Sequence, residues 1–178
     1  SVVGRSEALR KQAQLAFENI LETTQLVTPQ GSYHESMDYF RITLAPLALL
    51  AELQRTTTAV DPARRYTVFG SIGPTYLYKL MPNGTPSREG DNEYPILDDR
   101  DTALLGYAIN RFNDPYSAWL LRNSGFLPAK WVLHVLEFLW TDPEVLPRAP
   151  ALSEPAELPR PRFFPCCGHL VMRLRWHT

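Results

Sequence analysis

At 178 residues, with 44% hydrophobic and 21% charged side chains, the chain fits one ordinary globular domain with room for the edge of a second. A net charge of −1 supplies no global field toward nucleic acid or a membrane surface. No apolar run approaches the ~20 residues of a membrane span, and no signal-peptide pattern opens the chain. The two cysteines, Cys166 and Cys167, are adjacent, a spacing that suits neither a disulfide framework nor a zinc site. Opening at Ser1 almost directly on a helical pattern, the sequence reads as a fragment or a processed product.

The spacing predicts a first helix over residues 6–26. Leu9, Ala13, Ala16, Phe17, Ile20 and Leu21 share one face, and Ser6 is suited to be its N-cap. Thr28-Pro29-Gln30-Gly31 breaks it. There follows Gly31-Ser32-Tyr33-His34-Glu35-Ser36-Met37-Asp38-Tyr39-Phe40-Arg41, eleven residues holding two tyrosines, a histidine, two carboxylates and an arginine. Such a mixture offers proton carriers, acceptors and an anion clamp. A polar helix start would use the same residue types, so local chemistry leaves an active site and a capping loop both open.

A second helix is expected over residues 36–55. Its segment 44–51 is apolar nearly all round, which predicts burial between other helices, and Pro46 predicts a kink. A third, over 62–80, carries Tyr66, Phe69, Ile72, Tyr76 and Leu80 on a stripe, with a bend or a later start expected at Gly70, Gly73 and Pro74. Residues 81–99 form a long polar loop containing Arg88, Glu89, Asp91 and Asn92; loops of this length are functional or disordered, and turn glycines are the plainer reading. Helices follow over 101–112, with Asp99 or Asp101 near the cap, over 115–123 and over 128–140. In the last, His134 is expected to pack rather than to ligate.

Prolines at 143, 147, 150, 155, 159, 161 and 165 exclude a regular helix and read as an extended linker. From His169 the chain alternates apolar and basic residues as a strand does, and a lone strand has no stable partner. The organisation expected is therefore a helical domain at 1–142, a Pro-rich linker at 143–162, and the first strand of a β-rich domain at 163–178. Helical pairs joined by short or polar loops suit a toroid or solenoid better than a four-helix bundle.

Three stretches resemble the heparinase II/III-like polysaccharide lyases. Gly31-Ser32-Tyr33-His34-Glu35-Ser36-Met37-Asp38-Tyr39 resembles that family's Asp-Gly-x-x-x-Glu-Gly-x-x-Tyr motif. Tyr76-Leu77-Tyr78-Lys79-Leu80-Met81-Pro82-Asn83-Gly84, running to Gly90-Asp91, is similar to its helix, Pro-x-Gly and Gly-Asp segment. Phe164-Pro165-Cys166-Cys167-Gly168-His169-Leu170-Val171-Met172-Arg173-Leu174-Arg175-Trp176 resembles the strand that opens the family's β-sandwich. The three occur in the family's order along most of the chain. Ser36 and Gln30 depart from it, standing where Gly and Asp are usual.

The resemblance implies a mainly α fold, part of an α/α toroid followed by the first strand of a β-sandwich. It also implies β-elimination on uronic-acid-containing glycans of the heparin, chondroitin or alginate kind. In that chemistry a base removes the C5 proton, a Tyr protonates the departing oxygen or serves both roles, and the uronate charge must be neutralised. By motif position the catalytic residue is Tyr39, with Tyr33 as runner-up. Tyrosine's ordinary pKa near 10 means that cationic neighbours would have to lower it. Tyr33, His34, Glu35, Arg41, Arg88 and Asp91 are the expected substrate-binding residues.

The carboxylate-neutralising Asn or His, a sandwich histidine and, in some members, a structural metal would lie outside this sequence. No cofactor is assigned within it. The expected partner is an acidic polysaccharide or oligosaccharide, with self-association or contact with missing parts of the parent chain. Resemblance favours a periplasmic or secreted protein, with cytoplasmic variants known. Two rivals remain: a non-catalytic helical module that binds a glycan or a protein, and an α/α-toroid glycoside hydrolase using Glu35 and Asp91.

Overall fold

The computed structural model describes residues 2–28, 30–33, 36–81, 85–90, 98–123, 134–150, 158 and 161–173. Among these it is mainly helical. α1 (Val2–Val27), α2 (Met37–Thr58), α3 (Pro62–Arg65), α4 (Thr67–Gly70), α5 (Ile72–Lys79), α6 (Asp99–Phe112), α7 (Pro115–Asn123) and α8 (His134–Trp140) precede a hairpin of β1 (Pro161–Phe164) and β2 (His169–Met172).

The centre of the molecule is α6. Residues 101–109 are buried all round, and α2, α7 and α8 pack on this helix. It begins in a capping box: Arg100 N–H donates to the Asp98 side chain at 2.9 Å, and Asp98 N–H donates to Asp101 Oδ2 at 2.6 Å. Two orphan amides of the first turn are satisfied in this way. The cap is thus Asp98, and Asp99 and Asp101, both expected near it, are the first and third residues of the helix. Tyr107 anchors the core, its ring 5.2 Å from Trp140 and 5.8 Å from Phe69.

The α2 helix carries Pro46 inside its span, and one expectation for it needs correction. Its apolar segment is buried on one side, at Leu44, Ala45, Leu47, Ala48 and Ala51, while Leu49 and Leu50 are each 43% exposed. Full envelopment fell to α6 instead, because α6 lies between three helices.

The helix expected over 62–80 is divided into three. Asp61 caps the start of α3 by accepting from Ala63 N–H at 3.2 Å, and at the first break, between α3 and α4, Gln25 of α1 accepts from Val68 N–H at 3.0 Å. Gly73 allows α5 to lie against α7, since a Cβ there would overlap the Asp114 and Ser117 side chains.

The C-terminal strand is not alone. β1 pairs antiparallel with β2 in the register Pro161↔Met172, Arg162↔Val171, Phe163↔Leu170 and Phe164↔His169. β1 begins at Pro161, inside the segment expected as linker. Pro161 stands at the first position of the strand, where its missing N–H does least harm. Phe164 is fully buried and its ring meets Tyr78 edge-on at 6.4 Å, which docks the hairpin on α5. Arg173 donates to the Leu77 and Tyr78 carbonyls at 3.0 and 2.7 Å, satisfying acceptors left open at the end of α5. The expectations for 128–133, for the His134 side chain, and for Arg175 and Trp176 of the strand motif lie outside the described residues.

Candidate functional site

The stretch that leads into α2 is fixed from its first residue. Gly31 has φ +87°, a left-handed conformation that glycine adopts without strain, and a Cβ there would overlap Ser71 and Thr75 of α5. Ser36 then caps α2, accepting the Tyr39 N–H at 3.4 Å from an extended backbone. Tyr39 is therefore the third residue of a 22-residue helix, and it remains 36% exposed.

Beside it lies a buried ionic cluster. Arg41, 1% exposed, pairs with Asp38 one turn earlier and with Asp101 Oδ2 at 2.7 Å, and stands 3.7 Å from Asp98. Tyr76 of α5 donates its hydroxyl to Asp101 Oδ1 at 2.5 Å. Arg100 pairs with Asp98 at the surface side of the cluster. Three helices meet here, and each contributes a member.

Three carboxylates face two guanidiniums, so the cluster holds an excess of negative charge. Burial pushes the Asp101 carboxyl up to about 6, against the opposing pull of Arg41 and the Tyr76 hydroxyl. Burial also acts on Asp98, but there the Arg100 hydrogen bonds and the Arg41 charge outweigh it and hold the carboxyl below its usual range. Burial and the adjacent Asp101 charge push the Tyr76 phenol well up, so it stays a neutral donor.

Four of the expected site residues, Tyr33, Tyr39, Arg41 and Arg88, lie among the described residues. Tyr39 faces outward on the first turn of α2, whereas Arg41 faces inward and its charge is neutralised within the fold. Tyr33 is half-buried and packs against the core. Arg88 is exposed on the 85–90 segment, which is tied to α5 through Ser87 N–H on the Lys79 carbonyl at 2.7 Å. His34, Glu35 and Asp91 lie outside the described residues.

A second polar cluster was not foreseen. Lys79, 1% exposed at the end of α5, donates to Glu89 at 2.6 and 2.7 Å and lies 2.8 Å from His169 Nδ1 on β2. Its ammonium also sits 5.1 Å from the Phe164 ring centre. These contacts span ten and ninety residues of sequence, and no local pattern announces them. A cleft of about 390 Å³, lined by Phe112, Asp114, Tyr116 and Arg148 among others, opens at the far end of α6. Eleven helical residues, roughly 16 Å, separate it from Asp101, and it holds none of the expected residues.

Among the described residues, no group of three or more His, Cys, Asp or Glu side chains could hold a metal ion, and no helix is long and apolar enough to cross a membrane. No family model, curated protein or solved structure matches the chain.

Proposed function

We propose that the chain carries the tyrosine-bearing part of a polysaccharide lyase that cleaves uronic-acid-containing glycans by β-elimination. The observation that carries the reading is the placement of Tyr39, a phenol kept 36% exposed on a helix start that a buried ion cluster holds rigid. A group that must meet a C5 proton or a departing oxygen needs both access and a fixed position. The α2 N-terminus favours negative charge nearby, which suits a uronate carboxylate and a phenolate alike. Arg41 enters this reading as a positioning residue: it ties the turn bearing Tyr39 to α6 rather than touching substrate. Arg88, exposed on the 85–90 segment, is accessible to solvent-borne carboxylates.

The test is turnover by the full-length protein on heparin, heparan sulfate, chondroitin, hyaluronan and alginate, with the products identified. Lyase action gives a C4–C5 double bond and its ultraviolet absorbance. Saturated products would replace this reading with a hydrolase, and affinity without turnover would replace it with a binding module.

A further inference from the structure

Cys166 and Cys167 are the chain's two cysteines, both free and half-buried. They occupy the turn between β1 and β2, closed by Gly168 at φ +70°. Neighbours in a strand point to opposite faces. In this turn both sulfurs instead converge on one residue. The Cys166 thiol donates to the Ser32 carbonyl at 3.1 Å, and Cys167 Sγ lies 3.3 Å from Ser32 Oγ.

We propose that Cys166 and Cys167 form a bidentate thiolate site for a soft, two-coordinate monovalent metal ion of the Cu(I) class. Structural zinc takes four nitrogen or sulfur ligands, and no set of even three candidate ligands exists among the described residues. Calcium and magnesium demand oxygen cages that a dithiol lacks. Two convergent thiolates match the softness of Cu(I) and complete a digonal shell.

A disulfide is the poorer fit. Consecutive Cα atoms lie about 3.8 Å apart across a trans peptide, short of the roughly 4.4–6.8 Å that disulfides adopt. An S–S bond of about 2 Å would therefore close a strained eight-membered ring. A metal between the sulfurs lets them stand farther apart than a direct S–S bond does, so the ring need not close on the short sulfur–sulfur distance. Binding forms two metal–sulfur bonds, breaks two S–H bonds and releases two protons to water. The thiols exchange their contacts with Ser32 for the metal. The resulting anionic complex forms on the hairpin where Arg162 and Lys79 stack on the Phe164 ring. The site stands independently of the lyase reading.

The experiment is an anaerobic titration of the full-length protein against Cu(I) held by the chromophoric chelator bicinchoninate. The expected result is withdrawal of one equivalent, with both thiols then protected from iodoacetamide. Cys166→Ser and Cys167→Ser, each checked for native circular dichroism, should weaken binding at least about 100-fold, the upper range for losing even an outer-shell partner. Withdrawal of no copper overturns the proposal, as does wild-type affinity in either variant. Should a variant fail to fold, alkylation of the wild-type thiols at an unchanged rate with copper present overturns it on its own.

Discussion

The buried cluster at the α2–α5–α6 junction should give the protein an unusual pH dependence of stability, and Asp101→Asn should remove it. A carboxylate paired in the fold ordinarily has a depressed pKa, and stability is then lost as pH falls. Asp101 is the reverse: burial raises its carboxyl from 3.8 to about 6. The folded state therefore binds a proton more tightly than the unfolded chain, so stability falls as pH rises between the two values and is flat above the upper one. The full shift corresponds to about 3 kcal/mol, of which about 2 kcal/mol lies between about pH 4.5 and pH 7.5. With a urea slope of about 2 kcal/mol per molar, Asp101 alone should move the midpoint about 1 M higher at the acid end. Other titrating groups act on both proteins, so the readout is the difference between wild type and Asp101→Asn in their midpoint change over that interval. Asn has no charge to titrate, and its curve should lack the Asp101 contribution whatever its absolute stability. Parallel midpoint curves for the two proteins would refute a raised, buried Asp101.

Arg41→Met should cost about 3–5 kcal/mol in urea unfolding, because removing the guanidinium strands Asp38 and Asp101 without their shared counter-charge. A loss under about 1 kcal/mol, as for a surface pair, would contradict the burial assigned to the cluster. Phe164→Ala should cost about 3–5 kcal/mol of local stability by opening a cavity between the hairpin and α5. Hydrogen exchange should quicken across β1 and β2 while α6 stays protected; uniform quickening, or none, would show that the hairpin is not docked as a unit.

Local signals made the long elements legible. Apolar periodicity located α1, α2, α6 and α7, and Ser36 served as the cap at which a helix start was expected. The α6 start was nearly legible too: Asp99 and Asp101, expected near its cap, follow Asp98, and Asp101 completes the capping box with it. The division of 62–80 was half visible. Gly70, Gly73 and Pro74 signalled weakness there, but the first break needed Gln25, more than forty residues away, to serve an open amide.

Pairings across long separations were not legible. Arg41 looked like an anion clamp because its neighbours are polar, and the partner that draws it inward, Asp101, is sixty residues distant. The hairpin was missed because prolines at 159, 161 and 165 read as linker, while a strand can begin on a proline. The exposed side of α2 could not be foreseen from a composition that is apolar on both sides. For the candidate site, the sequence singled out Tyr39, and the fold adds its exposure and the buried frame behind it.

The most direct test of the central proposal is the rate of double-bond absorbance in full-length wild type and Tyr39→Phe, on whichever glycan the wild type turns over. Circular dichroism and urea midpoints are read beside the rates, so that a loss of turnover is scored only in a folded variant. The proposal predicts that absorbance rises in wild type and falls by at least about 100-fold in the variant, the scale of a lost proton-transfer group. A Tyr39→Phe protein that forms the unsaturated product at the wild-type rate would contradict it.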